Sequence, residues 1–151
     1  MSFASVLGMM AYTQGGGLYA HSCSYILTLH SQTPHGIGCG LSLPYTLAFN
    51  VDYIQGALAK LARVIDPAVQ GSEESLAQKA VQMFFELPGK VGIPKTLNEL
   101  GLSQDFLPEF AEALVEKYYR TKNPRPMSLE EAQIFVERMW QGSLKQFSFK
   151  K

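Results

Sequence analysis

Apolar positions in this chain recur three and four residues apart rather than two, which predicts helices and no alternating strand. Residues 3–14 form a first apolar segment, stopped by Gly15, Gly16 and Gly17, and a second runs from about Leu18 toward Leu29. A third opens at Pro34–His35–Gly36 and reaches Asn50. Pro44 inside it is expected to kink or divide it, because proline offers no N–H to the helical ladder and its ring meets the preceding turn. Over residues 53–64 the stripe is Ile54, Leu58, Leu61 and Ala62. Gly71–Ser72 caps a helix over residues 73–87, with Glu73 and Glu74 at its positive end and Pro88–Gly89 closing it. Thr96 and Glu99 pair as a capping box over one short turn that Gly101 stops. Residues 105–119 make the next helix, with Pro108 tolerated in its first turn. Ser128 and Glu131 form a second capping box for a last helix ending near Gly142. The pattern predicts an all-α helical bundle: one helical domain over residues 1–142 and a polar tail over 143–151 that frays.

Charge sharpens this picture. The first 51 of the 151 residues contain no Asp, Glu, Lys or Arg; Asp52 is the first acidic residue and Lys60 the first basic one. Helices that are apolar or small all round belong in an interior, so this third is expected to be covered. Overall, 13 basic residues balance 13 acidic ones, which leaves no electrostatic footprint for nucleic acid or an anionic lipid surface. Glycines, serines and His21 interrupt the apolar third, so it does not read as a membrane span. Its first residues lack the basic start of a secretory signal. Two cysteines, Cys23 and Cys39, are too few for a disulfide scaffold and read as small buried residues in a reducing cytoplasm. Tyr118–Tyr119–Arg120 and Phe84–Phe85 read as core and helix-end packing. Gly36, Gly38 and Gly40 read as positions of close helix or substrate approach rather than a phosphate loop.

All three histidines, His21, His30 and His35, lie in the uncharged third. A continuous helix would separate His21 from His35 by about 21 Å, too far for one metal ion. Pro34 with the polar Ser31–Gln32–Thr33 supplies a reversal between them. Returning to the level of His21 over a few extended residues requires the second helix to stop by about Thr28 or Leu29.

The run Gly17–Leu18–Tyr19–Ala20–His21, then Pro34–His35–Gly36, Leu43–Pro44 and Phe49–Asn50, resembles the iron-containing alcohol dehydrogenase family in its C-terminal helical domain. Val91–Gly92–Ile93–Pro94 with the leucines that follow, and Asn123–Pro124–Arg125–Pro126 before the capped last helix, continue the resemblance across nearly the whole chain. The resemblance implies a divalent metal, Fe²⁺ or Zn²⁺, with His21 and His35 matching two of its ligands. The family's other ligands, an Asp and a His in an Asp-x-x-x-His arrangement, and its nucleotide-binding half lie before the region matched here. The chain therefore reads as the last part of a dehydrogenase, truncated at its N-terminal side, to which NAD(P) comes only through the missing domain. Gly15–Gly16–Gly17 follows a helical pattern and is not a dinucleotide loop. Where the family places a second histidine four residues after the first metal-binding one, this chain has Tyr25, on the same helical face as His21. Tyr25 can hydrogen-bond a substrate or water but cannot relay a proton as imidazole does near neutral pH. His30 has no family counterpart and reads as a surface or loop residue.

The resemblance thus implies oxidoreduction of a small alcohol or aldehyde, or of a hydroxyacid, in the intact enzyme, and a fragment that is inactive alone and binds metal weakly. The alternative is a non-catalytic helical interaction or oligomerisation module derived from the same fold. The two imidazoles are expected within about 3–5 Å of each other, as nitrogens on one ion require. The uncharged third is expected to drive homo-oligomerisation, because Phe3, Val6, Leu7, Met10, Ile26 and Leu27 would otherwise face water.

Overall fold

The structure, a computed structural model, describes residues 2–145. The described residues form helices and turns without a strand: α1 (Ser2–Gly15), α2 (Tyr19–Ser31), α3 (His35–Asn50), α4 (Gln55–Ile65), α5 (Glu73–Lys90), α6 (Leu107–Glu116) and α7 (Leu129–Gln141). Consecutive helices pair as hairpins, α2 with α3, α4 with α5 and α6 with α7. Helix α3 lies at the centre, packed also on α5 and α7, while α2 touches α6. Tyr19, Tyr45, Phe49, Phe110 and Phe135 are the largest fully buried side chains, so aromatic rings from α2, α3, α6 and α7 fill the middle of the bundle. Edge-to-face contacts join Tyr19 to Phe49 and Phe49 to Phe135.

Several boundaries differ from the sequence expectation for identifiable reasons. Helix α2 continues to Ser31, past the expected stop at Thr28 or Leu29. The reversal is tighter than an extended return: Gln32 takes a left-handed conformation (φ 56°) and donates its N–H to Thr28 O. The Thr28 hydroxyl donates to Thr33 O at 2.8 Å, closing the turn from the other side. Pro44 does not divide the third segment, because α3 runs unbroken from His35 to Asn50 with Pro44 buried. Likewise α5 passes through Pro88 to Lys90, and Pro88 O then accepts from the N–H groups of Val91 and Ile93. In both helices burial of the proline ring outweighs the one lost ladder bond. Helix α6 ends at Glu116 rather than Tyr119 and is entered through a 3₁₀ turn, Gln104–Phe106, capped by the Ser103 hydroxyl. At the Thr96 turn the threonine hydroxyl accepts from Glu99 N–H, but the Glu99 carboxylate accepts from Lys95 N–H, one residue before the expected partner. The Ser128–Glu131 capping box forms in full, and Gly142 ends α7 at φ 72°. In the tail, Leu144 packs against the core; residues 146–151, with the remainder of that expectation, lie outside the described residues.

The uncharged third divides in two. Helices α2 and α3 supply much of the core, and this chain itself buries Ile26 and Leu27, contrary to the expectation that they face water. Helix α1 is the opposite case: none of its residues is buried, and Phe3, Val6, Leu7, Met9 and Met10 are all at least half exposed. The expectation of an interior position thus fails for α1 within this chain.

The segment after α6 is clasped to the end of α3 by buried polar groups. Asn50 and Asn123 exchange side-chain amide hydrogen bonds, at 3.1 and 2.7 Å, and Asn123 also donates to Arg125 O. Arg125 lies over the Phe49 ring at 4.5 Å and donates to Glu131 at 2.6 Å. The Asn-Pro-Arg-Pro motif is therefore structural, and the charge of Arg125 is buried only because it is paired. Replacing Asn123→Ala removes both amide bonds with Asn50 and the bond to Arg125 O, and leaves Asn50 with its bond to Thr46 O. The expected cost is about 2–4 kcal/mol, read as a lower urea midpoint at unchanged slope. A loss below about 0.5 kcal/mol, the range of a neutral surface change, would mean the clasp is not holding the segment.

Candidate metal centre

The hairpin of α2 and α3 positions the site. Gly38 faces Ser24 across it so closely that a Cβ at Gly38 would fall 2.7 Å from Ser24 Oγ and 2.9 Å from Ser24 Cα. This approach is possible only without a side chain at Gly38, which assigns it the helix-contact role read from the sequence. Gly40 has a milder neighbour in Ile93, and Gly36 has none.

With the helices this close, Ser24 reaches His35 twice. Its hydroxyl donates to His35 O at 2.7 Å, which commits its only proton. The 2.8 Å contact between Ser24 Oγ and His35 Nδ1 is therefore a bond that the imidazole donates. His35 is thus held with its proton on Nδ1 and its lone pair on Nε2, the arrangement that an outer hydrogen bond gives a metal-binding imidazole.

His21 lies opposite, with its ring centroid 5.4 Å from that of His35 and the rings inclined at 62°. Its pKa is lowered, first by burial, then by His35 and by Arg120. The shift favours the neutral form, the one that offers a lone pair. Cys39, one helical turn beyond His35, completes the cluster. Its Sγ lies 3.5 Å from His35 Nε2, and the ligand atoms of His21, His35 and Cys39 all fall within 4.8 Å of one another. A tetrahedral ion with bonds of ~2.1 Å to nitrogen and ~2.3 Å to sulfur spaces its donors roughly 3.4–3.8 Å apart. The His35–Cys39 pair already has that spacing, and the third atom needs only a modest side-chain rotation. These residues therefore fit a divalent metal. His35 is exposed, while His21 and Cys39 are half-buried, so the cluster opens to solvent.

Cys39 was read from the sequence as a small buried residue. Its place four residues after His35 on one helix was the signal that reading did not use. Burial pushes its thiol up. Cys23 is fully buried, as expected.

Aromatic and cationic groups frame the cluster. Tyr25 lies with its ring 5.1 Å from His35 and 6.1 Å from Tyr118, against which it stacks. Tyr12 of α1 comes within 5.2 Å of the His21 ring. The Arg120 guanidinium lies over Tyr25 at 5.6 Å and donates from Nε to Ser22 Oγ, which in turn donates to Tyr118 O. Tyr118 and Arg120 thus border the site as well as packing the end of α6, a role that their spacing in sequence does not reveal. His30 is exposed, as expected, and stacks on Phe106 away from the cluster.

The architecture is that of a C-terminal domain of alcohol-oxidising enzymes. It superposes on 1,3-propanediol oxidoreductase with a TM-score of 0.85 at 25% identity, covering 91% of this chain and 36% of that one. For an alcohol dehydrogenase from Oenococcus oeni the TM-score is 0.82 at 24% identity, over 89% and 35% of the two chains, a likeness of fold. A profile described as "Fe-containing alcohol dehydrogenase family, C-terminal" matches residues 1–140, and the chain belongs to that family. Among curated relatives, lactaldehyde reductase of Escherichia coli is 28% identical over 141 residues, covering 93% of this chain and 37% of the relative. The 1,3-propanediol dehydrogenase of Klebsiella pneumoniae is 28% identical over 137 residues, covering 89% and 35%. The chain spans a little over a third of the length of these relatives.

Gly38→Ala forces α2 and α3 apart, and a stability loss of about 1–3 kcal/mol is expected, the usual cost of overpacking. Adding Ser24→Ala relieves the contact with the hydroxyl but not the one with the main chain, so only part of the loss returns. Denaturant titration of the single and double variants decides, and an unchanged midpoint in Gly38→Ala would show that the helices separate freely.

Proposed function

We propose that this chain forms the metal-holding wall of an NAD(P)-linked alcohol dehydrogenase, with His21 and His35 as two nitrogen ligands of a divalent ion such as Fe²⁺ or Zn²⁺. The convergence of two imidazoles, one of them fixed in its tautomer by Ser24, supports this reading most directly. A divalent metal, when bound, supplies Lewis acidity toward an alcohol or carbonyl oxygen. The chain's own residues do the rest on this side of the site. His35 presents Nε2, Tyr25 and Tyr118 wall the approach, and the Tyr25 hydroxyl is placed to hydrogen-bond a substrate or an ordered water. The names of the relatives favour a small alcohol or aldehyde as substrate. NAD(P) is held by a separate nucleotide-binding domain, so this chain alone does not turn over. A reducing cytoplasm keeps both cysteines as thiols. No helix among the described residues is long and apolar enough to cross a membrane.

Calorimetric titration of the pure chain with Zn²⁺ under reducing conditions tests the site. The expected result is one ion per chain, weakened more than tenfold by His21→Ala or His35→Ala, since even the loss of an outer-shell partner costs about 10–100-fold. Equal affinity in wild type and both variants would overturn the reading. Measurable NAD(P) reduction by the pure chain with a small alcohol would overturn the assignment of the nucleotide to another domain.

The same reading includes self-association, with a second copy of the chain seated on α1. This helix carries no charged residue, so two copies meet there without desolvating a charge, and its apolar side chains stand at least half exposed. Light scattering is expected to give a mass above the 16.7 kDa of one chain. Val6→Glu with Met10→Glu places charge on α1 and is expected to return the monomer. A monomeric wild type at micromolar concentration would refute the proposal.

A further inference from the structure

We propose that Cys39 is the third protein ligand of this site, bound as thiolate, so that the chain carries a His₂Cys donor set of its own and selects Zn²⁺ or Co²⁺ over Fe²⁺. The inference rests on the reading of His21 and His35 as ligands and adds to it a donor that the resemblance to the family did not supply. Three observations carry it. Sγ lies 3.5 Å from His35 Nε2, the spacing of two donors on one tetrahedral ion. The three ligand atoms form the one group of at least three metal-binding side chains that converges among the described residues. Cys39 is also half-buried and reachable from solvent, unlike Cys23, whose thiol is fully buried and pushed up to about 12 by burial.

The chemistry of the donor set follows. A divalent ion that binds Cys39 displaces the thiol proton to solvent, because a coordinating thiol is deprotonated outright. Two neutral imidazoles and one thiolate leave a net charge of +1 on an ion held by this chain alone, with its remaining coordination left to water or to donors from outside this chain. Thiolate is a soft donor, which favours Zn²⁺ and Co²⁺ over Fe²⁺ beyond the general order of divalent affinities.

Anaerobic titration of the full chain with Co²⁺ tests this. In the wild type we expect a thiolate-to-cobalt charge-transfer band in the near ultraviolet, intense visible bands of tetrahedral cobalt, and release of one proton per ion at neutral pH. Cys39→Ser is expected to lose the charge-transfer band and the proton release, to bind more than tenfold more weakly, and to discriminate less between Zn²⁺ and Fe²⁺. Cys23→Ala is expected to keep all four properties, and far-ultraviolet circular dichroism verifies the fold of each variant. Cobalt bound by the wild type without a charge-transfer band, or a band that survives in Cys39→Ser, would overturn the inference. The two readings separate cleanly. If His21→Ala and His35→Ala weaken binding while Cys39→Ser does not, only the thiolate proposal falls. If none of the three weakens binding, the metal site itself falls.

Discussion

The closeness of α2 and α3 at Ser24 and Gly38 is the constraint on which the candidate site depends. Two helices with ordinary side chains pack 8–10 Å apart, and that spacing would hold a hydroxyl on one away from the main chain of the other. Here the missing side chain at Gly38 lets Ser24 reach both the carbonyl and the imidazole of His35. One small residue on each helix thereby sets the interhelical distance and the orientation of a ring. The left-handed turn at Gln32 reverses the chain, so that α3 returns along α2 and the ring of its first residue reaches the His21 ring.

Electrostatics agree with this geometry. Two imidazolium ions with ring centres 5.4 Å apart would repel each other, and the guanidinium of Arg120 adds to the positive field. Burial, His35 and Arg120 all move His21 toward its neutral form. His21 is thereby shifted toward the form whose lone pair is free to bind a cation. The cost of placing Arg120 near a cation site is offset by the Tyr25 ring beneath it and by its hydrogen bond to Ser22, which anchor the guanidinium to the protein.

Helix existence was legible in the sequence because each segment announces itself through periodicity and caps. Ser72 and Ser128 act as read, and the Ser128–Glu131 box forms completely. Helix ends near proline were less legible. Pro44 and Pro88 lie inside helices because tertiary burial outweighs the single lost hydrogen bond, and local propensity contains no term for that burial. At the candidate site, the convergence of His21 and His35 was legible through the intervening Pro34 and the family motif. Cys39 was not, because a cysteine in an apolar helix looks the same whether it faces the core or a neighbouring imidazole. The border formed by Tyr118 and Arg120 was hidden for another reason. These residues follow Tyr25 by more than ninety positions, and only the docking of α6 against α2 brings them together.

The uncharged third shows why composition alone does not assign burial. Helices α2 and α3 satisfy the expectation because partners within the chain surround them, whereas α1, just as free of charge, meets none over most of its surface. It meets the site through Tyr12, whose ring approaches His21 and would touch any side chain placed at Gly17. On the proposed association through α1, Tyr12 is therefore the residue that would carry a change at that surface to His21.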